Sequence, residues 1–537
     1  MWFRGGLLVC LLVTPAYAQD VRTTSIFAGS VVDSVTRQPI AKASIRLTGE
    51  VTYGGSTNLE GAFRFEAVKP GEYQFDISHR GYTDSHAVAL KPGQTNGTVI
   101  LKPGEDFTGV MAGLAPEAVV SGHVVDANDE PPAGASVRLL TEKWQHGVRA
   151  YEIAASAEVD DRGNYRASVP AGVYYAAAHP YSRLPTRIAA EPGGEEKHLA
   201  TVFYPNALTI ESSTPVELQA GRQLAGIDFK VPYTAIYHVR GSVVGESGAY
   251  MLTLARREER VLRQINGALV EKDGKFDVSG VEPGNYWLEI EPVRSSLTGR
   301  VAVDVSDRDV NGVKLNAVHL SVDGIARFEG EHGDPLSALT LQLEMLDQLY
   351  FGSGRQFSIG GAFELKNLMC DRYALTLVPS RDAYIKSVLV GGREAPSGLL
   401  DFSNCAAAKL EVVVASGTGK VSGTVHWPEV LPGDPPLPGK PLSAALVATA
   451  GDTGNIGAFF VPVDAAGHFQ FSFVPPGKYV AFATTRPGDG IWQNRDFVNA
   501  VSGSGTPVEV SKASEAHVEV PPLSEADIRR ALQQAPR

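Results

Sequence analysis

The sequence predicts an all-β protein: about five small antiparallel β-sandwiches in tandem, in an extended array, with a short helix at the C-terminus. Three observations support this fold class. Short segments alternate apolar and polar residues with period two, as half-buried strands do. The 537 residues include 56 glycines and 34 prolines, a composition rich in turn formers. One strand–turn–strand unit also recurs along the chain, and a recurring unit is typical of repeat architectures.

Residues 1–18 are typical of a signal peptide rather than of a folded element. Arg4 supplies a positive charge, Leu7–Val13 form a short apolar run, and Ala16–Ala18 place small residues before a cleavage site. The run is too short to cross a bilayer core of about 30 Å. The sequence therefore predicts an exported protein that starts at Gln19 and is periplasmic, attached to the cell surface or secreted.

Charge and hydropathy exclude several classes of partner. The formal net charge is −12, so the chain is not attracted to a nucleic-acid backbone or to an anionic membrane surface. No stretch after the signal peptide reaches eighteen uninterrupted apolar residues, so we expect no transmembrane segment in the mature chain.

Each repeat opens with a strand in which glycine precedes valine or a similar residue. The five opening segments are Ala28–Val32, Ser121–Val125, Arg240–Val244, Asp323–Ala326 and Ser422–Val425. We predict sandwich repeats over residues 20–104, 116–232, 236–318, 319–415 and 416–523, followed by a tail over residues 524–537. The fourth copy is degenerate, and the sequence leaves open whether it is a complete sandwich. In the tail, Ser524 is placed to cap a short helix.

Two turn signals recur inside the repeats. Turns in which Asp or Asn precedes glycine occur at Asn58–Gly61, Asp161–Gly163, Asp273–Gly274 and Asp464–Gly467. Corners that lead to a tyrosine occur at Pro70–Tyr73, Ala171–Tyr174, Pro283–Tyr286, Cys370–Tyr373 and Pro476–Tyr479. We expect the first to be tight turns with glycine at positive φ and the second to be type II corners. Each tyrosine should pack in the core with its hydroxyl on the backbone. The strands Val508–Val510 and Val518–Val520 are predicted to close the last copy as a hairpin.

This combination of an opening Gly-x-Val-Val strand, an Asp-x-x-Gly-x-Phe turn and a Pro-Gly-x-Tyr corner resembles the carboxypeptidase regulatory-like domain. The resemblance implies a prealbumin-like or immunoglobulin-like sandwich, repeated in tandem in an exported bacterial protein. It implies no activity, because such domains are named for standing beside a peptidase and lack its catalytic machinery. It also suggests one possible role, that of an accessory subunit of a separate peptidase or transporter.

The sequence predicts no enzyme and no cofactor. His426–Glu429 matches the His-x-x-Glu pair of zinc peptidases formally, but a proline-rich stretch surrounds it. Nucleophile-elbow, His-Glu-x-x-His and phosphate-loop motifs are absent from the sequence. Serine, histidine and aspartate are scattered over small sandwiches, which offer no deep cleft.

Two further sets of residues are candidates for a metal site and for a disulfide bond. Asp307, Asp309 and Asn311 resemble the start of a calcium loop, but the twelfth position is valine and the flanks alternate as strands. An Asx-rich turn is therefore favoured, with weak calcium binding as the alternative. Cys370 and Cys405 form an even pair in an exported chain, which favours a disulfide over two buried thiols.

The remaining candidates are aromatic residues in polar loops. Trp492 stands beside Asn494, Arg495 and Asp496, and Trp144 has a similar polar setting. Exposed tryptophans of this kind stack on sugar rings, but the favoured interpretation is that each covers the edge of its own sandwich. The sequence thus leaves three functions open. They are an envelope scaffold that binds proteins by strand addition at exposed strand edges, a carbohydrate-binding protein, and the accessory subunit. The expected partner is an envelope protein or a polysaccharide.

Overall fold

The structure is a computed structural model, and its chain divides into two compact units, Met1–Pro116 and Glu117–Arg537. It describes residues 24–83, 98–145, 147–180, 196–245, 251–257, 266–270, 273–290, 297–330, 339–346, 355–358, 361–378, 382–395, 398–426, 442–449, 458–464, 466–488 and 490–534. The predicted signal peptide, residues 1–18, lies outside the described residues, as does most of His426–Glu429. No helix in the described part of the chain is long and apolar enough to span a membrane.

The first sandwich forms the first unit and consists of two facing sheets. Its strands are β1 (Ser25–Asp33), β2 (Ser44–Thr48), β3 (Tyr53–Ser56), β4 (Ala62–Val68), β5 (Gly71–Ser78), β6 (Thr98–Leu101) and β7 (Phe107–Leu114). One sheet has the order β4-β1-β7 and the other β3-β2-β5-β6. Apolar residues of both sheets alternate inward and meet in one core.

The second sandwich repeats this plan with a longer hairpin in one sheet. They are β8 (Ala118–Asp126), β9 (Ser136–Gln145), β10 (Val148–Glu158), β11 (Asn164–Val169), β12 (Gly172–His179), β13 (Lys197–Leu199), β14 (Val202–Phe203), β15 (Val216–Leu218), β16 (Gln223–Leu224) and β17 (Phe229–Val231). One sheet has the order β10-β9-β12-β14, and β11, β16 and β17 join β8 in the other. A separate pair joins β13 to β18 (Tyr233–Ala235), and a 3-10 turn spans Ile210–Ser212.

The third and fourth sandwiches follow the same order of strands. The third has β19 (Tyr237–Gly245), β20 (Met251–Arg256), β21 (Asn266–Leu269), β22 (Lys275–Val281), β23 (Gly284–Ile290), β24 (Arg300–Val305) and β25 (Val310–Ala317). The fourth has β26 (Val322–Glu329), β27 (Thr340–Met345), β28 (Arg355–Ser358), β29 (Ala362–Leu365), β30 (Arg372–Leu377), β31 (Ala383–Val390), β32 (Arg393–Glu394), β33 (Leu399–Asp401) and β34 (Leu410–Ser416). Their sheets are β22-β19-β25 with β21-β20-β23-β24, and β29-β26-β34-β31-β32 with β28-β27-β30-β33. The degenerate fourth copy is thus a complete two-sheet sandwich.

The fifth sandwich carries helices as well as strands. Its strands are β35 (Gly419–Val425), β36 (Ser443–Ala448), β37 (Ala458–Pro462), β38 (His468–Val474), β39 (Gly477–Thr484), β40 (Thr506–Val510) and β41 (Glu515–Val520). Its sheets are β38-β35-β41 and β37-β36-β39-β40. A 3-10 turn over Gly490–Gln493 leads into α1 (Arg495–Ser502), and α2 (Glu525–Gln534) ends the described chain.

The predicted C-terminal helix is confirmed, with a cap where the sequence places it. The backbone N–H of Asp527 donates to Ser524 Oγ over 3.1 Å. Ile528 and Ala531 of α2 are buried against the fifth sandwich, so the segment predicted as a tail is part of that sandwich. Helix α1 was not predicted, because its polar first turn looks like a loop.

The closing strand of each sandwich corrects two predictions. β7 lies beyond residue 104, the predicted end of the first repeat, yet it pairs in parallel with β1 and buries Val110 and Leu114. The same parallel pairing joins β17 to β8, β25 to β19, β34 to β26 and β41 to β35. Consequently β40 and β41 do not pair as the predicted hairpin. They enter opposite sheets, β40 beside β39 and β41 beside β35.

The predicted tight turns form as expected. Gly61, Gly163, Gly274 and Gly467 have φ of 72°, 83°, 80° and 85°. A carboxylate or amide oxygen organises each turn by accepting backbone N–H groups, as Asp464 does from Ala466 and His468. In the second sandwich this acceptor is Asp160, one residue before the predicted Asp161.

The five corner tyrosines behave as predicted, whereas the corner glycines do not. Each tyrosine hydroxyl donates to the backbone oxygen four residues earlier, over 2.7–3.0 Å; they are Tyr73, Tyr174, Tyr286, Tyr373 and Tyr479. Gly71 and Gly284 have φ of 158° and 159°, which is near extended backbone and not the type II turn predicted. The tyrosine ring explains the glycine instead. A Cβ on Gly284 would lie 3.2 Å from the ring of Tyr286.

Candidate interaction site: the joint between the second and fifth sandwiches

The tip of the β9–β10 hairpin packs against the segment Gly490–Asn494 of the fifth sandwich, and we call this contact the joint. It brings together Trp144 and Trp492, which the sequence places in separate polar loops. Both indoles are buried, with 7% and 3% of their surface exposed. An extended array would keep these two non-consecutive sandwiches apart, so their contact differs from that expectation.

Trp492 lies at the centre of the apolar cluster that forms the joint. Its ring centroid is 5.3 Å from that of Phe497 in α1 and 5.9 Å from that of Phe482 in β39. Its indole N–H donates to the backbone oxygen of Arg486 over 3.0 Å. Residues of β36 and β39 that face away from the sandwich core complete the cluster. The β37-β36-β39-β40 sheet is therefore covered on both faces.

Asn494 connects helix α1 to the hairpin of the second sandwich. Its Oδ1 accepts the backbone N–H of Phe497 over 2.9 Å, which caps α1. Its Nδ2 donates to the backbone oxygen of Gly147 over 2.7 Å. The backbone N–H of Gly147 in turn donates to the oxygen of Gly490 over 3.0 Å. Since Asn494 is 8% exposed, both of its bonds are shielded from water.

Gly147 fits the joint because it lacks a side chain. Its φ is 76°, which favours glycine, and a Cβ would lie 2.7 Å from the carbonyl carbon and oxygen of Gln493. Beside it, the guanidinium of Arg149 lies 5.6 Å from the ring centroid of Trp144, and its Nε is 3.6 Å from a carboxylate oxygen of Glu142. The hairpin tip is thus shaped to receive the fifth sandwich.

The other predicted ligand-binding residues lie at the same place. Arg495 and Asp496 form the first turn of α1, directly after the cap at Asn494. A carboxylate in that turn stabilises the helix dipole. The ligand-binding role predicted for this group stays a prediction. In the described arrangement protein covers both indole rings, and sugar stacking requires an open ring face.

A second contact joins the second and third sandwiches through a buried carboxylate. His198 Nε2 lies 2.7 Å from Glu282 Oε1, and Arg256 donates to Glu282 Oε2 over 2.7 Å. Nearby, the pKa of His179 is lowered to about 3, mainly by burial and to a smaller extent by the positive charge of Arg138. His179 is therefore neutral at pH 7. A buried carboxylate held from both sandwiches resists separation, because either partner would be left unpaired.

A third contact joins the third and fourth sandwiches. Arg300 lies 2.7 Å from Glu289 of its own sandwich and 3.1 Å from Asp371 of the next, with 4% of the Arg300 side chain exposed. Its guanidinium stacks 4.2 Å from the ring centroid of Trp287. The backbone N–H of Cys370 donates to Thr298 Oγ1 over 3.2 Å.

The Cys370–Cys405 disulfide lies beside this third contact. The two Cα atoms are 4.8 Å apart, and Cys370 is buried in the core of the fourth sandwich. The bond connects the segment before β30 to the segment after β33, two strands that also pair with each other. It therefore anchors Asp371, the next residue, where it meets Arg300.

The fourth and fifth sandwiches meet at their linker. Asp382 Oδ1 accepts the backbone N–H groups of Gly417 and Thr418 over 3.1 and 2.9 Å, and the Thr418 hydroxyl over 2.9 Å. Together with the joint, these contacts give each of the four sandwiches in residues 117–537 two neighbours.

The calcium candidates are spread over a surface turn and a strand. Asp307 Oδ1 lies 3.7 Å from Arg308 Nε, and Asp309 accepts from the backbone of His238 and from Arg240 over 3.0 and 2.6 Å. Asn311 lies in β25. Over the described residues, no three or more histidine, cysteine, aspartate or glutamate side chains are gathered as a metal site requires. The weak calcium site stays a prediction.

Comparison with known families confirms the resemblance in the first sandwich. Residues 26–101 match the family model of the carboxypeptidase regulatory-like domain. No curated protein matches the chain. The other four sandwiches share the strand order of the first, which is the repeat that the sequence predicts.

Several bacterial pilins are among the similar solved structures. The minor pilin GBS52 of Streptococcus agalactiae has 13% identity and a TM-score of 0.22, with 39% of this chain and 96% of that chain covered. A streptococcal ancillary pilin has 12% identity and a TM-score of 0.20, with coverage of 55% and 99%. BcpA, the major pilin subunit of Bacillus cereus, has 10% identity and a TM-score of 0.16, also with coverage of 55% and 99%. These likenesses carry no argument about function.

Proposed function

We propose that the protein is an exported, non-enzymatic scaffold of the cell envelope that binds and spaces partner proteins. The observation that carries this proposal is the joint between Trp144, Gly147 and the segment Gly490–Asn494. It connects sandwiches that are not consecutive in the chain. Residues 117–537 therefore behave as one block, whose outer surfaces keep fixed distances from one another.

The buried charged groups support a structural role over a catalytic one. Glu282 is held by Arg256 of its own sandwich and by His198 of the second, and Asp371 of the fourth sandwich is held by Arg300 of the third. A catalytic acid or base must instead reach a substrate, usually in a cleft that perturbs its pKa. Both carboxylates thus help to hold neighbouring sandwiches together.

Export and partner class complete the proposal. The signal-peptide pattern in residues 1–18 supports export, and the net charge of −12 disfavours nucleic-acid partners. Carbohydrate binding and the role of an accessory subunit stay alternatives. The burial of Trp144 and Trp492 favours proteins over sugars as partners, because the predicted stacking surface is used within the chain.

Photocrosslinking in the native host tests the proposal. A photoreactive residue is introduced at Leu59 or Met111, which are 78% and 60% exposed in the first sandwich, or at Phe473, which is 49% exposed in the fifth. If the protein is a scaffold, at least one position should crosslink to a discrete envelope protein. When the photoreactive residue is placed in that partner instead, this chain should be recovered.

A matched control introduces the same residue at buried Phe482, where no partner can reach it. Two outcomes contradict the proposal. One is saturable binding of the purified chain to peptidoglycan or a polysaccharide with no protein crosslink. The other is turnover of a peptide or glycoside substrate by the purified chain.

A further inference from the structure

We propose that the free edge of β3 in the first sandwich binds an extended peptide segment of a partner protein by strand addition. The segment recognised has apolar residues alternating with acidic ones. This inference deepens the proposed scaffold function by naming a docking surface. The inference rests on the proposed function for the biological role of this surface. Peptide binding at β3 and the contact at the joint are measured in separate experiments.

β3 is an edge strand without the usual protection. It ends the order β3-β2-β5-β6, and three of its four residues are exposed. Its sequence, Tyr53 to Ser56, contains no charge and no proline, the two features that most often keep edge strands from pairing. In the described part of the chain no strand pairs with the outer side of β3, so its backbone groups there are available to an extended chain.

The equivalent edges of other sandwiches are better protected. β10 carries Arg149 and Glu152, β28 carries Arg355, and β37 ends in Pro462. β21 also lacks charge and proline, but it ends in the exposed Leu269, where β3 ends in Ser56. The first sandwich thus has an edge that differs from those in the block.

The inward side of β3 explains why every second residue of the partner segment is apolar. Tyr53 and Phe65 are partly buried at the margin of the core, and a Cβ on Gly55 would lie 3.1 Å from the Phe65 ring. The hydroxyl of Tyr53 is held by the backbone N–H of Lys69 over 3.0 Å. An apolar side chain of an added strand would extend this aromatic margin and lose contact with water.

The outward side explains the acidic residues. Gly54 pairs with Arg46 of β2, which is exposed, and a Cβ on Gly54 would meet no atom within 4 Å. The side chain of Arg46 can therefore extend across the open space above Gly54. A strand added to β3 would lie two strand spacings from β2, about 10 Å, where a glutamate can meet the guanidinium. Asp76 of β5 pairs with Arg46 from the opposite side, and a glutamate of an added strand would approach Arg46 from the edge of β3.

The test measures binding of short synthetic peptides to the full chain by fluorescence anisotropy. The probes are a seven-residue peptide of alternating valine and glutamate, the same peptide with lysine for glutamate, and the glutamate peptide N-methylated at alternate amides. We expect saturable binding of the glutamate peptide, at least about tenfold weaker binding of the lysine peptide, and loss of binding on N-methylation.

Variants locate the site and separate charge from folding. Gly54→Glu places a carboxylate beside Arg46 and should weaken the glutamate peptide at least about tenfold, while Arg46→Glu should reverse the preference toward the lysine peptide. Thr48→Glu, at an exposed position of β2 that does not pair with β3, is the matched control and should change binding less than twofold. Thermal unfolding of each variant verifies that the first sandwich is folded.

Three outcomes would overturn the inference. They are the absence of binding by either unmethylated peptide, equal binding of the glutamate and lysine peptides, and undiminished binding of the N-methylated peptide. None of these outcomes bears on the contact between the second and fifth sandwiches, so failure of this inference is distinguishable from failure of the scaffold proposal.

Discussion

At the scale of single residues, Gly147 shows how one position adapts a hairpin to a distant sandwich. Its φ of 76° and the 2.7 Å approach of the Gln493 carbonyl to its Cβ position both exclude a side chain. We expect Gly147→Ala to weaken the joint by more than the roughly 1 kcal/mol that a positive φ alone costs. The measurement is the free energy of unfolding in urea, followed by tryptophan fluorescence.

Gly488→Ala is the control for this substitution. Gly488 has φ of 72°, but its Cβ position has no atom within 4 Å. The two variants therefore share the backbone strain and differ in the steric clash. Equal destabilisation by both would show that Gly147 is not held against the fifth sandwich.

Features of single residues were predictable from the sequence where they depend on neighbouring residues in the chain. The corner tyrosines and the Asx turns were predicted correctly, because each depends on residues within about four positions. The setting of Trp144 and Trp492 was not predictable, because it depends on which loops of non-consecutive sandwiches meet. Polar neighbours such as Asn494 suggested a surface loop, whereas its amide satisfies buried backbone groups.

At the scale of elements, the closing strand of each sandwich was the main difference from expectation. Val508–Val510 and Val518–Val520 alternate correctly as strands, but adjacency in sequence suggested a hairpin that does not form. Alternation specifies that a segment is a strand and not which sheet it joins. The parallel partner lies nearly one whole repeat away and is invisible to local patterns.

The disulfide makes a prediction at the same scale. Removing it with Cys370→Ala and Cys405→Ala should destabilise the fourth sandwich by about 3–4 kcal/mol, because the bond closes a loop over a sequence separation of 35. Asp371 would also be less firmly held against Arg300. Differential scanning calorimetry with and without reductant measures the effect.

When the wild type is reduced, one of its thermal unfolding transitions should shift to lower temperature. The double variant, which has no disulfide, should show the same profile with and without reductant. A calorimetric profile of the wild type that is unchanged on complete reduction would contradict a stabilising role for the bond.

At the scale of the whole molecule, the four sandwiches of residues 117–537 are held by contacts of different kinds. One is the largely apolar joint, two are buried charge contacts, and one is an aspartate at a linker. The fold class and the five copies were predictable, because every copy repeats its own local signals. The contacts between copies were not, because they use residues outside the repeated pattern, such as Arg300 and Asn494.

The most direct test of the joint is hydrogen exchange of the amide of Gly147 in the full chain. This amide donates to the oxygen of Gly490 in the fifth sandwich, and Asn494 holds the hairpin from the other side. The account predicts that Asn494→Ala speeds exchange at the Gly147 amide at least about tenfold, while Phe473→Ala, at an exposed position of the fifth sandwich, leaves it unchanged. Exchange at Gly147 that is fast in the wild type, or unaffected by Asn494→Ala, would contradict the claim that the second and fifth sandwiches are joined.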